Sequence, residues 1–144
     1  MDTTIIEVRK NVLITNTIAD GSTSFTASIK NVSFIPDAVI VRMIGYNSAL
    51  ALPHGTTVVT GFSAYPDNRV VNISTNLVDD TYIGCVTDVG VCMSNLIFTI
   101  NKPINGIYLF SLTTPDGVAF NLVGDLSIFL EFVKFKRLPL QNIN

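Results

Sequence analysis

The chain has 144 residues, room for one domain with one good core. Apolar residues make up 48% of it and charged residues only 14%, with a formal net charge of −2. That balance argues against a strongly basic nucleic-acid-binding face. It leaves a surface that is either covered by Thr, Ser and Asn or covered by neighbouring subunits.

The periodicity is that of strands throughout. Thr3 to Arg9 and Val12 to Thr17 are rich in Thr, Ile and Val, and residues 1–10 read as an N-terminal arm or strand. Asp20-Gly21 supplies a turn, and Ser24 to Val32 then alternates, with Phe25, Ala27 and Ile29 on one side. Ile35-Pro36-Asp37 predicts a turn, because proline fixes its φ and aspartate can bond its own backbone. In Ala38 to Tyr46, strict alternation sets Val39, Val41 and Met43 on one face and Ile40, Arg42 and Ile44 on the other. Both faces are mostly apolar, which predicts a central strand in which Arg42 needs a partner if it is covered.

Ala49 to Gly55 reads as a loop and Thr56 to Phe62 as a short strand. Tyr65-Pro66-Asp67-Asn68 signals a turn before a strand from Arg69 to Thr75. Tyr82 to Val86 and Val91 to Met93 flank Thr87-Asp88-Val89-Gly90, a hairpin-like turn. Asn95 to Asn101, Ile107 to Thr113 and Val118 to Leu122 follow as strands, with turns at Asn105-Gly106 and Pro115-Asp116-Gly117. Leu126 to Phe135 is the strongest run, and residues 136–144 read as a C-terminal tail that Pro139 takes out of any ladder. Nine or ten strands at this spacing predict an all-β, antiparallel two-sheet sandwich as one domain over residues 1–144.

Chemistry is poorly provided for. A nucleophile needs a base, and the one histidine, His54, lies in a loop with no nucleophile elbow beside it. Asp79 and Asp80 are adjacent, so on a strand they would point to opposite faces; they read as a turn. Scattered single glycines read as turn residues and form no phosphate loop. Cys85 and Cys92 read as reduced apolar thiols or, alternatively, as a disulfide across the hairpin. No enzyme activity, cofactor or metal is expected. Met1-Asp2-Thr3-Thr4 has no basic leader and no apolar stretch after it, which predicts cytosolic synthesis. No run reaches the roughly 18 apolar residues of a membrane span.

The C-terminal strand stands apart. Leu126, Ile128, Leu130 and Phe132 form one apolar face; Phe129, Val133 and Phe135 form a second around Glu131. A strand apolar on both faces is covered on both, and a two-layer sandwich has nothing of its own to cover the outer one. Phe129, Val133 and Phe135, with Lys136 and Arg137 at the rim, are therefore the expected subunit interface. Burial of such side chains contributes roughly 1.5–3 kcal/mol each.

Three stretches carry a family resemblance: Val32 to Tyr46 (VSFIPDAVIVRMIGY), Ser74 to Gly84 (STNLVDDTYIG) and Gly124 to Phe132 (GDLSIFLEF). With Phe98 and Pro115-Asp116-Gly117, they resemble small structural proteins of large double-stranded DNA viruses and their virophages. The resemblance implies a single jelly roll that serves as a penton or minor capsid protein, assembled in the host cytoplasm and located in the virion. Its implied partners are copies of itself, as a pentamer, and neighbouring capsid proteins, without direct nucleic-acid contact. A different expectation is a receptor- or glycan-binding fibre head, with Tyr65, Asp80 and Tyr82 as the ligand-loop residues.

Overall fold

In the computed structural model, which describes residues 2–19, 21–47, 70–79, 81–87 and 91–139, the strand periodicity becomes eight strands. They are β1 (Asp2–Ile18), β2 (Ser24–Ile29), β3 (Ala38–Asn47), β4 (Val70–Thr75), β5 (Thr81–Thr87), β6 (Val91–Thr99), β7 (Gly106–Thr113) and β8 (Gly124–Pro139). One sheet has the order β1-β8-β3-β6 and the other β2-β7-β4-β5, and every pairing is antiparallel. Consecutive strands thus mostly alternate between sheets, and the last strand returns to lie between the first and third. That is the strand order of a single jelly roll.

Between the sheets lies the core. Phe25 and Phe110 stack with ring centroids 5.2 Å apart, and Val39, Val41, Ile44, Ile73, Leu112, Ile128, Leu130 and Phe132 pack around them. Most are delivered by period-2 alternation, which turns every second side chain of a strand to the inner face. Thr75 caps a short 3-10 turn at Asn76–Val78, its hydroxyl accepting from Leu77 N at 3.2 Å, and the turn adds buried Leu77 and Val78 to the core.

Several details depart from the sequence reading. The two N-terminal strands are one, because β8 offers an antiparallel partner all the way from Asp2↔Pro139 to Ile18↔Gly124, with one bulge between Ile6 and Val8. For the same reason the expected tail begins in the ladder: Lys136 to Pro139 remain in β8, and Pro139 sits at the strand end, where a missing N–H costs least. The expected hairpin at residues 87–90 joins strands of different sheets, β5 and β6, and Cys85 is a free thiol. Val118 to Leu122 forms no strand, only an isolated bridge between Thr113 and Ala119. The carboxylate of Asp37 bonds no group of its own turn. It accepts from Phe135 N at 2.8 Å, while Asp37 N donates to Val133 O at 2.9 Å, tying the start of β3 to β8. The expected strand at Thr56 to Phe62 and His54 lie outside the described residues.

A tight corner closes the β3–β8 end. Tyr46 donates from its hydroxyl to Val123 O, and Gly124 passes beneath its ring with φ +148. A Cβ on Gly124 would stand 2.6 Å from Tyr46 Cε2 and 2.7 Å from Asn47 O. Gly124→Ala is therefore expected to cost about 2–4 kcal/mol, combining overpacking with backbone strain, and urea unfolding should read it. Burial, and then the nearby Asp125 carboxylate, push the Tyr46 phenol up from 10.0 to about 12. The folded chain thus holds this proton more tightly than the unfolded one. Stability is fully present below pH 10 and is lost as pH rises through about 12. Tyr46→Phe is expected to lose less stability across that window than the wild type does, which unfolding midpoints at pH 9 to 12 should show.

Candidate interaction surface

The outer face of the β1-β8-β3-β6 sheet is built from the residues that alternate away from the core. Opposed residues form rows across it: Leu13, Phe129 and Met43; then Asn11, Glu131, Ile40 and Ile97; then Arg9, Val133 and Ala38. Alternation along β3 does not run straight. A bulge between Val41 and Met43 places Arg42 as an extra residue, so Met43 joins Ile40 and Arg42 on the outer face while Ile44 turns to the core. This reverses the expected places of Met43 and Ile44.

At the centre of this face lies a charge. The Glu131 side chain is only 7% exposed, among Ile40, Phe129 and Val133. Arg42 grips it in a fork, with Nε donating to Oε2 at 3.2 Å and Nη2 to Oε1 at 3.3 Å. The third nitrogen of Arg42, Nη1, donates to Asn95 Oδ1 at 2.9 Å on β6. Arg9, 56% exposed, adds a looser contact at 3.7 Å from β1. One carboxylate therefore draws together β1, β3 and β8, and through Arg42 reaches β6. A forked guanidinium fits a carboxylate in plane, which is why an arginine and not a lysine suits this position. Arg42 is the residue that the sequence marked as needing a partner; Glu131 fills that role.

The expected interface residues separate into two groups. Val133 is fully buried by its own chain, packed with Ala38 and Ile40 and flanked by Ile6 and Phe135. It is not available to a partner; the extension of β1 and β8 past the β3 ladder shelters it. Phe129 and Phe135 remain half-exposed, and Lys136 and Arg137 are exposed. Around them Leu13 and Ile97, which the sequence reading did not single out, are 58% and 60% exposed on the same face. The signal for both was present as strand alternation, but the neighbours that make them one patch come from distant segments.

The opposite outer face, on β2-β7-β4-β5, is different. It carries Ser24, Thr26 and Ser28 from β2, Ser111 and Thr113 from β7, and Asn72 and Ser74 from β4. Ile107, Leu109 and Tyr82 are its exposed larger side chains. Tyr82 lies on this sheet face, opposite Ser74, and not in a loop. Tyr65 and Asp80 lie outside the described residues, and Asp79 is an exposed turn residue with φ +58. Among the described residues no three His, Cys, Asp or Glu side chains converge as metal ligands. The same residues include no helix long and apolar enough to cross a membrane.

No family model matches the chain, and no curated protein matches it. Among solved structures it is similar to the Drosophila NLP core, from a study of pentamer formation and histone binding. The identity there is 13%, covering 88% of this chain and 98% of that one, at a TM-score of 0.44. It is also similar to a chain from Bacillus endospore appendages, described as a novel family of disulfide-linked pili. That match has 14% identity over 93% of this chain and 91% of the other, at a TM-score of 0.32.

Proposed function

We propose that this chain is a structural capsid protein, a single jelly-roll penton subunit that assembles with copies of itself at icosahedral vertices. The reading rests above all on the contrast between the two outer faces. One sheet presents mostly hydroxyls and amides to water, with Ile107, Leu109 and Tyr82 among them; the other presents Leu13, Met43, Phe129 and Ile97 around a charge held out of water. A two-layer fold has no layer of its own for that second face, and apolar patches of this kind mark contact surfaces. The jelly-roll order and the resemblance of the Val32–Tyr46, Ser74–Gly84 and Gly124–Phe132 segments agree with a capsid role. Neighbouring capsid proteins are the other partners of the flanks, and the site of action is the virion. No catalytic step is assigned to any residue.

Light scattering on the chromatographed protein tests the reading. Five copies are expected, in contacts that close into a ring. Three copies would favour a fibre-head module. A chain that stays single at high concentration, and is absent from purified particles, would overturn the capsid assignment.

A further inference from the structure

The sheet that carries the apolar face ends in an unusually long edge. β1 runs for 17 residues and hydrogen-bonds on one side only, to β8. Its other side makes no backbone hydrogen bond with the rest of the described chain. At about 3.3 Å per residue the open edge is about 55 Å long. Soluble proteins keep such edges short or interrupt them, since a row of free N–H and C=O groups is a template for another strand. β1 contains neither glycine nor proline. Residues 2–8 hydrogen-bond to β8 alone, past the β3 ladder that begins at Ala38↔Val133. On that ribbon Ile5 and Val8 are exposed.

We propose that the free edge of β1 pairs antiparallel with β1 of a second copy, centred near Val8. The charges of the strand are self-complementary about that centre. Glu7 stands on one side of it and Arg9 and Lys10 on the other, so a two-fold pairing sets each Glu7 beside the basic pair of the other copy. Arg9 is mostly exposed, with one loose contact to Glu131, and Glu7 and Lys10 are exposed. The bulge between Ile6 and Val8, which sets Glu7 out of register with β8, falls at the same centre. Registers centred on Glu7, Arg9 or Lys10 oppose like charges, which disfavours them. In this register Val8 of both copies meets at the axis, with Ile5 of each two residues beyond the bulge. The contact is isologous, so it joins two copies and does not close a ring. It stands on the geometry of the edge and does not require the capsid reading.

Cross-linking tests it. In a Cys85→Ala, Cys92→Ala background, Val8→Cys places two thiols across the axis, where directly opposed Cβ atoms lie about 4.5–5.5 Å apart. Thr15→Cys places them more than about 40 Å apart by the same spacing. A short thiol-to-thiol cross-linker is expected to join Val8→Cys chains at least tenfold faster than Thr15→Cys chains. Charge exchange is the second arm. Glu7→Lys and Arg9→Glu alone are each expected to weaken the pairing roughly five- to tenfold, because each sets like charges opposite one another, and the double variant to return within about twofold of wild type. Equal cross-linking at both positions, a double variant as weak as the singles, or no association at all would overturn the contact. A five-copy assembly untouched by Glu7→Lys would also overturn it while leaving the capsid reading in place.

Discussion

Phe132→Ala is expected to unfold much of the population, while Phe129→Asp is expected to leave the chain folded and abolish its assembly. The two residues are three apart on β8 and point to opposite faces. Phe132 is fully buried in the core between the sheets. Its truncation should cost about 3–5 kcal/mol, against a total stability of about 5–15 kcal/mol for a domain. Phe129 is half-exposed on the outer face, between Leu13 and Met43. An aspartate there keeps access to water in the isolated chain and loses it only when a partner covers the face. Urea midpoints and light scattering on both variants should separate the two roles. Loss of fold in both, or assembly intact in Phe129→Asp, would count against the division of β8 into a folding face and a contact face.

The second large effect concerns the central ion pair. Arg42→Met is expected to cost about 2–3 kcal/mol, because it strands a carboxylate that its surroundings hide from water. The Arg9 contact, at 3.7 Å and from a mostly exposed side chain, compensates little. Glu131→Gln should cost less, about 1 kcal/mol, since the two arginines left behind can turn toward solvent. Arg42 is 34% exposed and Arg9 56%, against 7% for Glu131. The asymmetry is the signature: the buried partner suffers more from the loss of the exposed one. Arg42→Met combined with Glu131→Leu should recover most of the loss, because no buried charge then remains unpaired. Denaturant midpoints for the three variants give the comparison directly.

What could be read from the residues alone depended on how local the cause was. The alternation Phe25, Ala27, Ile29 marks β2 because period-2 burial needs only neighbours in sequence. The two apolar faces of β8 are visible in the same way. Sheet membership is another matter. Turn residues near 87–90 mark where the chain changes direction, yet nothing local says that β6 joins the sheet opposite β5. The bulge at Arg42 was equally hidden, since a single extra residue resets the faces of everything after it. Continuity of β1 across Lys10 and Asn11 depends on a partner strand more than a hundred residues away. For the candidate surface, Phe129 and Phe135 were legible as a second apolar face. The full burial of Val133 was not, because Ala38, Ile40 and Ile6 come from other strands. Glu131 could be seen among phenylalanines, and Arg42 could be seen to need a partner; only the β3–β8 register joins them.

Hydroxyl-radical footprinting, compared between dilute and assembled protein, tests most directly whether other copies cover this sheet. Leu13, Met43 and Phe129 are expected to lose most of their labelling on assembly, while Ile107, Leu109 and Tyr82 on the opposite sheet keep theirs. Equal labelling of Met43 and Phe129 in both states, or protection confined to the opposite sheet, would contradict the account.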